Sequence, residues 1–162
     1  TARMRAAMIP IRNLLIVLIL SMPGWGDERK QIHESIRGYT QGIITASKTD
    51  KVEHMEPYAT EKRAQKLFIW LKSWHENNYF MDSAIEGIEF LSYTNDGKKA
   101  VVTTREKWRY RYIQIVTREV TQPWTRAEYT MRYTILKDGK YWKVDEAQIV
   151  SEKQTPMQKP HK

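Results

Sequence analysis

The chain has 162 residues, a formal net charge of +8 and no cysteine, and 28% of its residues are charged. This length suits one domain with its own core, and the balance of apolar and charged residues is typical of a globular chain rather than a disordered one. Without cysteine, this chain forms no disulfide, thiolate nucleophile or cysteine-ligated zinc site.

Three of the positive charges, Arg3, Arg5 and Arg12, lie within the first 26 residues, which contain no acid. The rest of the chain therefore has only a modest basic excess. Dedicated nucleic-acid-binding domains are much more basic, so we expect no nucleic-acid partner.

Residues 1–26 have the pattern of a secretory signal peptide. The three arginines precede an apolar run over 14–22, and small residues come before the expected cleavage site at Asp27. An uncleaved N-terminal anchor is the alternative, since residues 10–25 could approach the ~20 residues that a membrane span needs. Either interpretation predicts a periplasmic or secreted body, with possible membrane proximity in the second case.

Two helices are predicted at the start of the body. Over residues 27–49, Ile32, Ile36, Tyr39 and Ile43 form one apolar stripe. Gly38 and Gly42 recur four residues apart, and we expect them to allow close packing against a strand. A second helix is expected to begin after Thr60, which is a suitable N-cap, and to end near Asn77.

From residue 85 the apolar pattern changes to a period of two, which is typical of strands. Strands are predicted over 85–93, 98–113, 126–136 and 141–150, with Asp-Gly turns at 94–97 and 137–140. Residues 121–125 should break the sheet because Pro123 cannot donate a ladder hydrogen bond. The domain is expected to span 27–150, followed by a flexible tail at 151–162.

The strand over 98–113 alternates almost without interruption. Its apolar and aromatic face carries Glu106, Trp108 and Tyr110, and its other face is strongly basic. Helices followed by a run of long antiparallel strands predict an α+β fold, with the N-terminal helices packed on a strongly curved antiparallel sheet.

This order of elements resembles the nuclear-transport-factor-2-like (cystatin-like) superfamily of cone-shaped α+β domains. The resemblance is carried by the helical pair, by A-V-V-T-T-R-E-K-W-R-Y and by Y-T-M-R-Y-T-I-L-K-D-G-K-Y-W-K-V, and it covers about residues 28–150. A weaker resemblance, over about 60–150, is to the membrane-proximal domain of plastid and cyanobacterial division proteins. That resemblance implies a non-catalytic module for protein interaction.

Glu106 is the candidate for chemistry, because a lone buried carboxylate on an apolar face can act as a general base. Tyr110, Tyr129 or Tyr133 would then donate a hydrogen bond to a developing oxyanion. The superfamily resemblance implies such roles, since its isomerases and dehydratases use an acidic residue with tyrosines. The alternative is that Glu106 pairs structurally with an arginine or a tyrosine hydroxyl.

Two further sets of residues are candidate binding sites. An aromatic set either packs the core or lines a pocket for a small apolar ligand. It comprises Trp108, Tyr110, Tyr129, Tyr133 and Trp142. A basic set on the outer face is either solvated or binds an acidic partner. It comprises Arg105, Lys107, Arg109, Arg111 and Arg132.

These patterns favour an exported, non-catalytic accessory domain that binds a protein partner or associates with itself through the sheet. The alternatives are a protein that binds a small apolar ligand in the cone and an isomerase-like enzyme with Glu106 as base. The four histidines are scattered without metal-ligand spacing, and no glycine-rich phosphate loop occurs. We therefore expect neither a metal nor a cofactor.

Overall fold

The structure is a computed structural model that describes residues 25–157. The predicted leader therefore lies outside the described residues, apart from its last two, with which the first helix begins. Between residues 25 and 157, no helix is both long and apolar enough to cross a membrane.

Two helices pack on one four-stranded sheet, which confirms the predicted α+β class. The strands are all antiparallel and follow one another in sequence order. The elements are α1 (Trp25–Thr49), a 3₁₀ turn (Glu53–Met55), α2 (Glu61–Glu76), β1 (Tyr79–Asn95), β2 (Lys99–Gln114), β3 (Val120–Asp138) and β4 (Tyr141–Pro156).

The start of α2 is fixed by the predicted cap. The Thr60 side chain accepts a hydrogen bond from the backbone N–H of Arg63 and donates one of 2.9 Å to Asp145 on β4. The backbone N–H of Thr60 also donates to the Val144 carbonyl at 3.0 Å, while Val144 N–H donates to Tyr58. This short segment covers the first part of the β4 edge and fixes α2 relative to the sheet.

The core lies between the two helices and the inner face of the sheet. The predicted stripe of α1 provides Ile32, Ile36 and Tyr39, all buried, and α2 provides Leu67 and Leu71. The inner face of the sheet provides a further part of the core, which includes the predicted pocket residue Trp142. It comprises Ala100, Val102, Tyr133, Ile135, Trp142 and Val144.

Both predicted Asp-Gly turns are present. Gly97 and Gly139 have positive φ angles of 92° and 60°, a conformation that glycine adopts without strain. In the first turn, Asp96 accepts hydrogen bonds from the backbone N–H groups of Lys98 and Lys99, and these bonds lower the pKa of its carboxyl group.

The predicted break at residues 121–125 was wrong, because β3 begins at Val120 and runs through this segment. Tyr110 pairs with Thr125 and Tyr112 pairs with Gln122, so Pro123 and Trp124 lie in a register shift between these pairs. A bulge needs no ladder hydrogen bond from the proline and bends the strand. Register shifts also occur between β1 and β2 and between β3 and β4.

The predicted flexible tail at 151–162 was also wrong for its first six residues. β4 continues to Pro156, and its last part pairs with residues 125–130 of β3. Backbone pairing orders this segment although its side chains are exposed, which is why its polar sequence gave no strand signal. Residues 158–162 lie outside the described range.

Gly38 and Gly42 pack against the connection between the helices, not against a strand as predicted. A Cβ atom at Gly38 would meet the ring of Tyr58, and one at Gly42 would meet the buried side chain of Met55. His54 from the same connection donates to the Gly42 carbonyl at 3.2 Å. These glycines therefore let the connection lie directly on α1.

We expect Gly42→Ala to lower the free energy of unfolding by about 1–3 kcal/mol, because Met55 must move within a packed core. The matched control is Gly87→Ala, where an added Cβ meets nothing within 4 Å. Urea unfolding of both variants measures the difference. Equal stability of the two variants would contradict the close packing of α1 on Met55.

His33 packs between α1 and β1. Its ring stacks on Phe90 with a centroid distance of 3.7 Å, and Nε2 is buried without a partner in the described residues. Burial is the main cause that lowers the pKa of His33, and the nearby Arg29 and Arg37 lower it further. The folded chain therefore favours the neutral imidazole.

Because the pKa of His33 is lower in the folded state, the unfolded state binds more protons at acidic pH. Stability should accordingly fall as the pH decreases below about 6.5, the usual histidine value. His33→Phe keeps the stacking and should weaken this dependence. Melting temperatures measured between pH 7 and pH 5 report this dependence. If the melting temperature changes equally with pH in both proteins, the role of His33 is refuted.

Candidate functional site

A cavity of about 580 Å³ lies between α2 and the inner face of the sheet. Known ligand sites range from about 300 to 1,000 Å³. Four of the five predicted pocket residues line this cavity: Trp108, Tyr110, Tyr129 and Tyr133. The fifth, Trp142, does not, since its side chain is only 2% exposed and packs in the core. The predicted aromatic set thus divides into a cavity wall and a core residue.

One face of α2 forms the helical wall of the cavity. Arg63, Lys66, Leu67, Trp70 and Trp74 line it, and their spacing places all five on one side of the helix. Trp74 stacks on Tyr112 of β2 with a centroid distance of 4.6 Å. This contact holds the end of α2 against the sheet.

The opposite wall is the inner face of β2, as its alternation predicts. Thr104, Glu106, Trp108 and Tyr110 are buried, whereas Arg105, Lys107 and Arg109 between them are exposed. Tyr129, Met131 and Tyr133 from β3 continue this wall, and Ala147 follows from β4.

The Glu106 carboxylate is 2% exposed and accepts three hydrogen bonds. Oε1 accepts from the Tyr133 hydroxyl at 2.6 Å and from the Thr104 hydroxyl at 2.9 Å, and Oε2 accepts from the Trp108 indole at 2.8 Å. A carboxylate has about four lone-pair positions, so protein donors use most of this one. The second sequence interpretation, structural pairing with a tyrosine hydroxyl, matches this geometry.

The cavity tyrosines remain protonated. Burial and the neighbouring Glu106 carboxylate raise the pKa of Tyr133 well above its usual range. Burial also raises the pKa of Tyr129 and of Tyr110, whose hydroxyl donates to Gln154 at 2.9 Å. The Tyr133 proton therefore points at Glu106, and the Tyr110 proton at β4, rather than at an oxyanion in the cavity.

One polar group of the cavity wall lacks a partner. The Ser83 side chain on β1 is 4% exposed, and its hydroxyl has no hydrogen-bond partner among the described residues. Leaving such a group unsatisfied costs about 1–3 kcal/mol. A hydroxyl in this position is available to a molecule in the cavity.

The outer face carries the predicted basic set, but acidic residues of the neighbouring strands lie against it. Arg105 contacts Glu89 at 3.1 Å and Glu128 at 3.9 Å, and Arg111 contacts Asp82 at 2.9 Å. Arg109 and Arg111 also lie over the Trp124 ring. Lys107 and Arg132 are exposed and form no salt bridge with the described residues. The outer face is therefore mixed in charge rather than uniformly basic.

The sequence did not point to Ser83, Arg63 or Lys66 as cavity residues. A serine within an apolar strand has no distinctive pattern. The two basic residues lie three apart on α2, and this spacing is ordinary for a solvated helix face. Only the position of α2 over the sheet places them at the cavity.

Among residues 25–157, no group of three or more histidine, aspartate or glutamate side chains is arranged to hold a metal ion. His75 Nε2 donates to the Ser47 carbonyl at 2.9 Å, and His161 lies outside the described residues.

A second depression of about 710 Å³ lies near the 3₁₀ turn. It has several exposed acids and no deep aromatic wall, so the aromatic cavity is the stronger candidate.

We expect Glu106→Ala to lower the free energy of unfolding by about 3 kcal/mol, because it leaves buried donors of Trp108, Thr104 and Tyr133 unsatisfied. Glu106→Gln should cost less. Its oxygen can accept from Trp108 while the two hydroxyls turn to accept from its amide group. Urea unfolding followed by tryptophan fluorescence measures both.

The matched control is Glu89→Ala, which removes an exposed salt bridge to Arg105 on the outer face and should change stability little. Similar small losses in Glu89→Ala and Glu106→Ala would show that the buried hydrogen bonds do not stabilise the fold.

Comparison with solved structures finds proteins of the same general fold. No protein-family model matches the chain, and no curated protein matches it. The chain is similar to the crystal structure of the intermembrane space region of the chloroplast protein ARC6, with a TM-score of 0.62 and 17% identity. The match covers 72% of this chain and 91% of that chain. It agrees, at the level of fold alone, with the weaker resemblance found in the sequence, and membership of the wider superfamily stays a prediction.

Proposed function

We propose that this chain is a non-catalytic binding domain that holds a small apolar molecule in the cavity between α2 and the sheet. The observation that carries this proposal is the open aromatic cavity, which the side chains of Trp108 and Tyr129 line but do not fill. A domain that used only its outer surface would need no such space, because empty apolar volume is destabilising.

The hydrogen bonds of Glu106 support a structural role for this residue rather than a catalytic one. A general base must reach the proton that it removes. Here the carboxylate is held by Thr104, Trp108 and Tyr133, and little of it faces the cavity. These bonds support a structural role for Glu106, in which it fixes two aromatic side chains of the wall.

A protein-interaction domain is the second candidate, and the rim of the cavity favours it. Trp70 is 40% exposed and Ile149 is 54% exposed, and both also line the cavity. Apolar surface thus continues from the interior onto the outside, where a partner protein could cover it. The outer basic face is less suited to an acidic partner, because Glu89, Glu128 and Asp82 already contact it.

The predicted leader adds a location to this proposal. With a signal peptide or an anchor at residues 1–26, the domain would act in the periplasm or outside the cell, near a membrane if the anchor is retained. Self-association through the sheet stays a prediction from the sequence.

The proposal predicts saturable binding of a neutral apolar probe. We expect N-phenylnaphthylamine to gain fluorescence on binding one site per chain. Ala147→Phe should weaken its affinity about tenfold or more, because the added ring occupies the cavity that Ala147 lines.

The matched control is Gln148→Phe, which adds the same ring at the exposed neighbouring residue on β4. It should leave the affinity unchanged. Absence of saturable binding to the natural chain would refute the small-ligand proposal, and the protein-interaction candidate would then be preferred.

A further inference from the structure

The cavity has a positive end at the start of α2. Arg63 Nε donates to the Tyr39 hydroxyl at 2.7 Å, and Lys66 lies three residues further along the same helix face. Within residues 25–157, neither Arg63 nor Lys66 has a carboxylate oxygen within the 4.0 Å of a salt bridge. Two cations thus stand at the cavity without an ion-pair partner.

The lining of the cavity extends along α2 and β4, and away from Arg63 it is largely aromatic. Trp74 follows Arg63 by eleven residues, which corresponds to about 16 Å along a helix. On β4, Glu152 follows Ala147 by five residues, or about 16 Å along a strand. Ala147 pairs with Tyr133 near the positive end, whereas Glu152 pairs with Tyr129. An anionic group is therefore favoured only at the Arg63 end.

Two acids line the cavity: Glu106, which accepts a hydrogen bond from Tyr133, and Glu152, which pairs with Tyr129. Arg63 donates to the Tyr39 hydroxyl, the Tyr39 ring packs edge-on against Tyr133 at a centroid distance of 6.1 Å, and Tyr133 donates to Glu106. This chain of contacts links the charges of Arg63 and Glu106. The Glu106 charge lies beyond salt-bridge distance but offsets one of the two cations, so the net charge at this end is a single positive one. This remaining charge suits a ligand with one negative group.

Ser83 supplies a polar contact away from Arg63. It pairs with Tyr110 in the register of β1 and β2, on the aromatic part of the wall, and its hydroxyl has no partner among the described residues. An oxygen atom of a ligand at this point would satisfy the buried hydroxyl.

We propose that the ligand is an elongated apolar monocarboxylic acid. Its carboxylate binds Arg63 and Lys66, its body lies along Trp70 and Trp108, and an oxygen near its other end accepts a hydrogen bond from Ser83. This inference rests on the proposed function, since it names the class of molecule that the cavity holds.

The test compares dodecanoate with dodecanol as competitors for N-phenylnaphthylamine on the full chain, below the concentrations at which they form micelles. The two differ in their head group. Dodecanoate should bind about tenfold more tightly, as a charge-assisted contact provides. The double variant Arg63→Gln, Lys66→Gln should abolish that difference by weakening the binding of dodecanoate more than that of dodecanol.

Lys62→Gln is the matched control, because Lys62 lies on the same turn but pairs with Asp145 and Glu146. It should preserve the preference for dodecanoate.

A second ligand tests Ser83. ω-Hydroxydodecanoate should bind more tightly than dodecanoate, and Ser83→Ala should remove this gain in affinity. If Ser83→Ala binds dodecanoate normally but no longer binds ω-hydroxydodecanoate more tightly, misfolding does not explain the change.

Equal affinities for dodecanoate and dodecanol would overturn the inference and leave the proposed function intact. The same holds if the probe binds and neither competitor displaces it. If the probe itself does not bind the natural chain, the proposed function fails as well. An unchanged preference in the double variant would also overturn the assignment of the carboxylate to Arg63 and Lys66.

Discussion

The buried carboxylate of Glu106 is the constraint on which the cavity depends. It accepts hydrogen bonds from Trp108 on its own strand and from Tyr133 on β3, and so fixes two large side chains in the wall. An unpaired charge in this position would be strongly destabilising, whereas three donors make its burial tolerable. Because these aromatic rings are held by polar contacts, they need not move inward to fill the space beside them.

The long bent strands and α2 complete the enclosure. β3 extends over Val120–Asp138, longer than most strands, and its bulge at Pro123 bends it. α2 is fixed at its start by Thr60 and at its end by the stacking of Trp74 on Tyr112. A helix held at both ends bridges the concave sheet, which leaves a cavity between them with a charged end and an aromatic end.

Much of this fold follows from local pattern. The alternation of β2 predicted its two faces, and the position of Glu106 among Trp108 and Tyr110 pointed to side chains that line the cavity. The sequence could not show that Glu89 and Asp82 contact Arg105 and Arg111, since strand register brings them there. Nor could it place Arg63 at the cavity, because that depends on tertiary packing. The bulge at Pro123 and the pairing of residues 151–156 were missed because propensity alone suggests a break and a tail.

A crystal structure of the full chain purified from its native host tests the central claim most directly. The account predicts an open cavity beside α2, the Glu106 carboxylate bonded to Trp108 and Tyr133, and electron density for an elongated molecule with its polar end at Arg63. A cavity closed by inward movement of Trp108 and Tyr129, with no bound molecule, would contradict it.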